Sequence, residues 1–183
     1  MRRSIAVLAL LLLLLPAAAQ QKVPQKPGPP MLARISEVKP GTLTADHRCV
    51  LILPDRRFHL ERATRKRAKD LTRKVYEGEF SQAEWDQILA MLGDKDLKAL
   101  SVPAARGVLV VEDMDLVTIN IWRDPGYQTL EFLTKRDRAP YERTLKPLLG
   151  WWKDFARRGL SESKAPVDDS CALSGNDNML FAP

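Results

Sequence analysis

The sequence predicts an α+β domain: an antiparallel sheet from two β-β-β-α units, with both helices packed on one face. Three observations carry this expectation. Short apolar and alternating stretches are separated by turns rich in Pro, Asp and Gly. Two amphipathic stretches, each with apolar residues at helical spacing, follow the two groups of strands. Strands grouped ahead of a helix are most simply satisfied by an antiparallel sheet covered on one side.

The composition bounds the rest. Of 183 residues, 28% are charged and 7% aromatic, as in a folded rather than a disordered chain. Two Cys and two His leave little room for a self-contained structural zinc site and exclude a three-His catalytic one.

Residues 1–19 read as a secretory signal peptide. Met1-Arg2-Arg3-Ser4 is a basic start, residues 5–15 are an unbroken run of eleven apolar residues, and Pro16-Ala17-Ala18-Ala19 gives a small-residue ending. The expected cut follows Ala19. The apolar stretch, at 15 residues through Ala19, is shorter than the roughly 20 a spanning helix needs, and no later stretch is longer. The expectation is therefore a periplasmic or secreted chain with no membrane span after cleavage. Residues 20–30 carry four prolines in QQKVPQKPGPP and read as an extended linker. Residues 31–158 are expected to form a single α+β domain, and 159–183 a polar, acidic tail.

Within the domain, 31–39 is an ambiguous first strand, followed by the turn signal Lys39-Pro40-Gly41. Residues 49–53 and 58–62 read as a hairpin around Pro54-Asp55-Arg56-Arg57. Simple alternation places Cys49, Leu51, Leu53, Phe58 and Leu60 on its core face. Residues 63–74 read as a basic connector and 75–80 as the third strand. Ser81-Gln82-Ala83-Glu84 is a capping box, with Phe80 and Trp85 as its hydrophobic staple. Trp85, Ile88, Leu89 and Leu92 make the helix stripe, Gly93 ends it, and a short turn of helix is expected over 94–100. The second unit has strands over 107–112, 116–123 and 127–134, the last two joined by Asp124-Pro125-Gly126, read as a type II turn. Its helix is capped at Asp137, carries the stripe Tyr141, Leu145, Leu148, Trp152 and Phe155, and is expected to kink or split at Pro147.

The hairpin beginning at Cys49, the VYEGEF strand with its capped helix and the later PLLGWW helix resemble small exported bacterial proteins of unknown function. The resemblance covers about residues 48–158 and rests on fold features. It implies an α+β domain in the cell envelope and carries over no catalytic residue.

Four constellations are candidates for function. Export places Cys49 and Cys171 where disulfides persist, and two cysteines allow one intramolecular pairing. A bridge would tie the tail to the first hairpin, with a buried thiol as the alternative. The stretch 56–74 holds nine cations, Arg56, Arg57, Arg62, Arg65, Lys66, Arg67, Lys69, Arg73 and Lys74, against Glu61 and Asp70, a net +7. The chain without residues 1–19 is only +4, so the basicity is local. It reads as a contact for an anionic partner, an envelope polyanion or an acidic protein, or else as a solvated hairpin that protects a sheet edge. Nucleic acid is disfavoured, because the stretch offers a single Phe and no Tyr or Trp for stacking. His59 and Glu61, with Glu77 on the next strand, are the candidates for an acid–base site. Trp151, beside the core Trp152, either caps the core edge or anchors a partner.

No nucleophile elbow, Gly-rich phosphate loop or His-Glu-x-x-His is present, and no cofactor or metal is called for. The resulting expectation is an exported non-catalytic binding or interaction module of the bacterial envelope. The alternatives are a hydrolase-like enzyme centred on His59, Glu61 and Glu77, and a structural protein that self-associates.

Overall fold

A computed structural model describes residues 30–41, 43–66, 70–102, 114–167 and 171. Residues 1–19, read as a signal peptide, residues 20–29 of the expected linker, the strand expected over 107–112, Arg67 and Lys69, and tail residues 168–170 and 172–183 lie outside the described residues.

Six strands form one sheet: β1 (Ala33–Pro40), β2 (Thr44–Ile52), β3 (Arg57–Lys66), β4 (Asp70–Glu79), β5 (Met114–Arg123) and β6 (Gly126–Thr134). Their spatial order is β4-β3-β2-β1-β5-β6, and every pairing is antiparallel. Helices α1 (Gln82–Gly93) and α2 (Lys95–Ala99) follow β4. A short α3 (Lys135–Arg138), a 3-10 turn (Ala139–Tyr141) and α4 (Glu142–Phe155) follow β6. The chain thus has the predicted α+β class, with the helices after their strands.

The ambiguous segment 31–39 is β1, the strand that joins the two halves, so four strands precede α1. Its alternation is obscured because it is buried on both sides: Ala33, Arg34, Ile35 and Ser36 are all at most 7% exposed. In the segment read as a basic connector, residues 63–66 and 70–74 instead belong to β3 and β4, which pair continuously from Arg57↔Glu79 to Lys66↔Asp70. Ala63 and Leu71 pack there with Val38, Ala45 and Leu116, and long cationic side chains can lie along such apolar surface.

Both main helices pack on one face of the sheet. Trp85, Ile88 and Leu92 of α1, with Leu145, Leu148, Trp151, Trp152 and Phe155 of α4, share a core with Ile35, Val50, Ile52, Phe58, Leu60, Ile119, Ile121, Leu130 and Phe132. The capping box is formed, the Ser81 side chain accepting from the Glu84 N–H and the Glu84 carboxylate accepting from the Ser81 N–H. Phe80 stacks near Trp85, with ring centroids 6.4 Å apart. Leu89, expected in the stripe, is 42% exposed.

Other local expectations change. Thr134, not Asp137, caps the helix that follows β6, and Asp137 completes the box from its third position. Pro147 sits inside α4, which runs unbroken from Glu142 to Phe155. Its missing N–H costs one bond near the helix start, while the apolar stripe beyond it is fully packed. The β5–β6 connection has a cis Asp124–Pro125 bond and pairs Arg123 with Gly126, so it is not a type II turn.

The decisive change is the β2–β3 register. Ile52 pairs with Phe58, Val50 with Leu60 and Cys49 with Glu61. Val50 and Ile52 therefore share the helix face with Phe58 and Leu60, while Cys49 and Leu51 lie on the opposite face with His59 and Glu61. The cause is the turn: Leu53 N–H bonds the Arg57 carbonyl, and Arg56 takes φ 70°. The left-handed residue gives the loop an odd length, and one residue moves every later side chain to the other face.

Gly78 lies across from Phe58, and a Cβ there would come within 2.8 Å of the Phe58 ring. That ring is held between Phe80 and Phe155, each 5.0 Å away by centroid. Gly78→Ala is expected to lower stability by about 1–3 kcal/mol in urea denaturation. Gly93→Ala, where nothing lies within 4 Å, serves as the control and should stay within about 0.5 kcal/mol of the parent.

Candidate functional site

Strand alternation sorts the candidate residues into two surfaces. The face away from the helices carries rows of residues set by the register. One row runs Arg34, Leu51, His59 and Glu77, the next Ser36, Cys49, Glu61 and Val75, and the next Val38, His47, Ala63 and Arg73.

Cys49 and Cys171 are joined in a disulfide with a Cα–Cα distance of 5.8 Å across a sequence separation of 122. Ser163 pairs with Val75 on β4, its N–H bonding the Val75 carbonyl at 2.7 Å. The tail is thus fastened at the β4 edge and again in the middle of this face. Leu51, Leu53 and Met31 pack with the disulfide.

The acid–base candidates do meet here. His59 Nε2 lies 2.9 Å from Glu61 Oε1, and Nδ1 lies 3.3 Å from Glu77 Oε1. Ser36 Oγ is 3.1 Å from His47 Nε2, a contact not anticipated from the sequence because it depends on the β1–β2 register. A Ser–His pair has the elements of an activated nucleophile. Yet Ser36 is 2% exposed, His47 3%, His59 5% and Glu61 4%, all within strands of a covered face. The arrangement is that of a satisfied buried polar layer. Among the described residues no group of three or more His, Cys, Asp or Glu is placed to hold a metal.

The nine cations do not form one patch. Arg56 and Arg57 lie at the β2–β3 turn, about nine residues or roughly 30 Å along β3 from Lys66. They are engaged locally, Arg56 with Gln82 at 2.9 Å and Arg57 with Asp55 at 2.6 Å. Alternation puts Arg65 and Arg73 on the disulfide side and Arg62, Lys66 and Lys74 on the helix side. Arg62 donates to the Arg158 carbonyl at 2.7 Å and lies over the Tyr76 ring at 4.5 Å. Lys74 pairs with Glu162 at 2.9 Å, so the acidic tail neutralises part of the hairpin. Arg67 and Lys69 are outside the described residues. Trp151 is packed in the core, 8% exposed, and stacks on Phe155 at 5.1 Å, which leaves little of it to anchor a partner.

The helix side adds cations that the sequence reading missed. The register aligns Glu37, Arg48, Arg62 and Lys74 in one row across β1, β2, β3 and β4. At the Arg48 end of the row, a cleft opens between the sheet, α3 and α4. It is lined by Lys39, Arg48, Lys135, Arg138, Lys153 and Arg157 against Glu37 and Asp115, over Val117, Leu149 and Trp152. Both acids are already paired, Glu37 with Lys39 at 2.6 Å and Asp115 with Arg138 at 2.8 Å. Arg48, Lys135, Lys153 and Arg157 make no ion pair with a described residue. One signal was available: Lys146, Lys153 and Arg157 recur at i, i+7 and i+11 along the polar side of the α4 segment.

No family model, curated protein or solved structure matches the chain.

Burial, helped by the nearby Arg34 and Arg73 charges, pushes the His47 imidazole down to about 3. Its ordinary value is 6.5, so between these values the unfolded chain binds a proton that the folded chain refuses. That contribution to stability is fully present above pH 6.5 and is lost as the pH falls towards 3. The unfolding free energy from urea denaturation should fall by up to about 1.4 kcal/mol per pH unit between pH 6.5 and 5 from this group. His47→Gln should remove that component. An unchanged slope in the variant would contradict the assignment.

Proposed function

We propose that the protein is an exported, non-catalytic binding module of the bacterial cell envelope that holds an anionic partner against the helix side of its sheet. The observation that carries this reading is the row Arg48, Arg62 and Lys74, continuous with a cleft whose cations outnumber its acids six to two. Cations concentrated in this way raise the local concentration of an anion and steer its approach. The basic hairpin contributes Arg62, Lys66 and Lys74 to this surface, and Arg56, Arg57, Arg65 and Arg73 lie elsewhere.

Export is supported by the order of residues 1–19 and by the disulfide, which persists in oxidising compartments. Among the described residues no helix is long and apolar enough to cross a membrane. A sulfated or phosphorylated envelope polymer suits the surface better than nucleic acid. The hairpin's aromatic side chains, Phe58 and Tyr76, are both 6% exposed and cannot serve as a stacking platform. The enzymatic alternative would need a substrate to reach His59 and Glu61, which are buried.

Heparin, a sulfated polysaccharide, is a suitable probe. The disulfide-bonded protein should bind it at low ionic strength and lose it steeply as salt is raised. Lys66→Glu with Lys74→Glu, both at exposed positions, should weaken binding roughly tenfold. Binding that is insensitive to salt and to both reversals would refute the reading.

A further inference from the structure

We propose that the cleft between α4 and the sheet is a binding site for a compact, phosphate-bearing anion. The inference rests on the reading that this side of the protein meets anions, and it names the ligand class.

The cleft has a volume of about 310 Å³, at the small end of ligand pockets and enough for a small molecule. Its four unpaired cations come from three directions. Arg48 rises from β2, Lys135 comes from α3, Lys153 lies in the last turn of α4 and Arg157 two residues beyond its end. A planar carboxylate presents its acceptors in one plane. A phosphate presents oxygens in several directions at once and can be met by cations from all three walls. Arg forks and Lys point charges are the usual recognition groups for it.

The fixed acids frame the site without filling it. Glu37 is held by Lys39 and Asp115 by Arg138, so neither neutralises the remaining four cations. The floor is apolar, with Val117, Leu149 and Trp152. Trp152 is 2% exposed, and its indole N–H has no acceptor among the described residues. An apolar floor with cationic walls strengthens each ionic contact relative to open water.

The phosphate could arrive on a soluble ester or on a lipid headgroup. The test titrates the disulfide-bonded protein calorimetrically at low ionic strength with inorganic pyrophosphate, and in parallel with citrate. Saturable one-to-one binding of pyrophosphate, at least tenfold tighter than citrate, is the expected result. Lys153→Glu with Arg157→Glu should weaken it at least tenfold, and both positions are exposed, so the fold is expected to survive. Lys66→Glu with Lys74→Glu, outside the cleft, should leave pyrophosphate binding within twofold. Co-sedimentation with vesicles of phosphatidylglycerol in phosphatidylcholine, lost in the Lys153/Arg157 variant, would mark a headgroup as the source. Pyrophosphate binding without co-sedimentation would mark a soluble ester. Absence of pyrophosphate binding, equal binding of citrate, or indifference to the Lys153 and Arg157 reversals overturns the assignment. If heparin binding meanwhile persists with its hairpin dependence, only the cleft is refuted and the broader reading stands.

Discussion

The pairing of Ile52 with Phe58 is the constraint on which the rest depends. It puts Val50, Ile52, Phe58 and Leu60 beneath the helices, where the aromatic cluster of Phe58, Phe80 and Phe155 closes over them. The same register sends Cys49, His59 and Glu61 to the other face. It also aligns Arg48 with Arg62, and the β3–β4 register then adds Lys74. A slip of one residue would bury those cations' neighbours differently and leave Cys49 under α4. One turn, closed by Arg56 in a left-handed conformation, thus sets the hydrophobic core, the disulfide position and the basic row together.

The two faces of the sheet are stabilised by different means. The helix face is an apolar core in which α1 and α4 bury their stripes. The other face carries Arg34, Ser36, His47, His59 and Glu61 in a buried polar layer. Such a layer needs its hydrogen bonds satisfied and its cover held in place. The chain's own tail reaches this face at two points, attached at Ser163 and locked at Cys171. Closing so long a loop is worth at most about 5 kcal/mol in the chain-entropy view. The function proposed here uses the opposite side, which the tail meets at Lys74 through Glu162.

Much of the architecture was legible from residues alone. Ser81 with Glu84, the helix stripes, the two strand groups and the single possible disulfide all rest on local chemistry that the fold leaves intact. Register was not legible, because it turned on the conformation of one non-glycine residue, Arg56. Strand β1 was obscured by Arg34 and Ser36, polar residues buried on the second face. The hairpin's charge was visible, but its division between two faces and two ends required knowing that β3 and β4 run through the basic stretch. The cleft was hidden for a similar reason: Arg48, Lys135 and Lys153 are distant in sequence and meet only when α4 packs over the sheet.

The most direct test of this account is the β2–β3 register in solution. Nuclear Overhauser contacts in the disulfide-bonded protein should connect the backbone of Val50 with Leu60 and of Cys49 with Glu61. Contacts joining Leu51 with Leu60 and Leu53 with Phe58 would instead place Cys49 on the helix face. That outcome would contradict the core, the tether and the basic row at once.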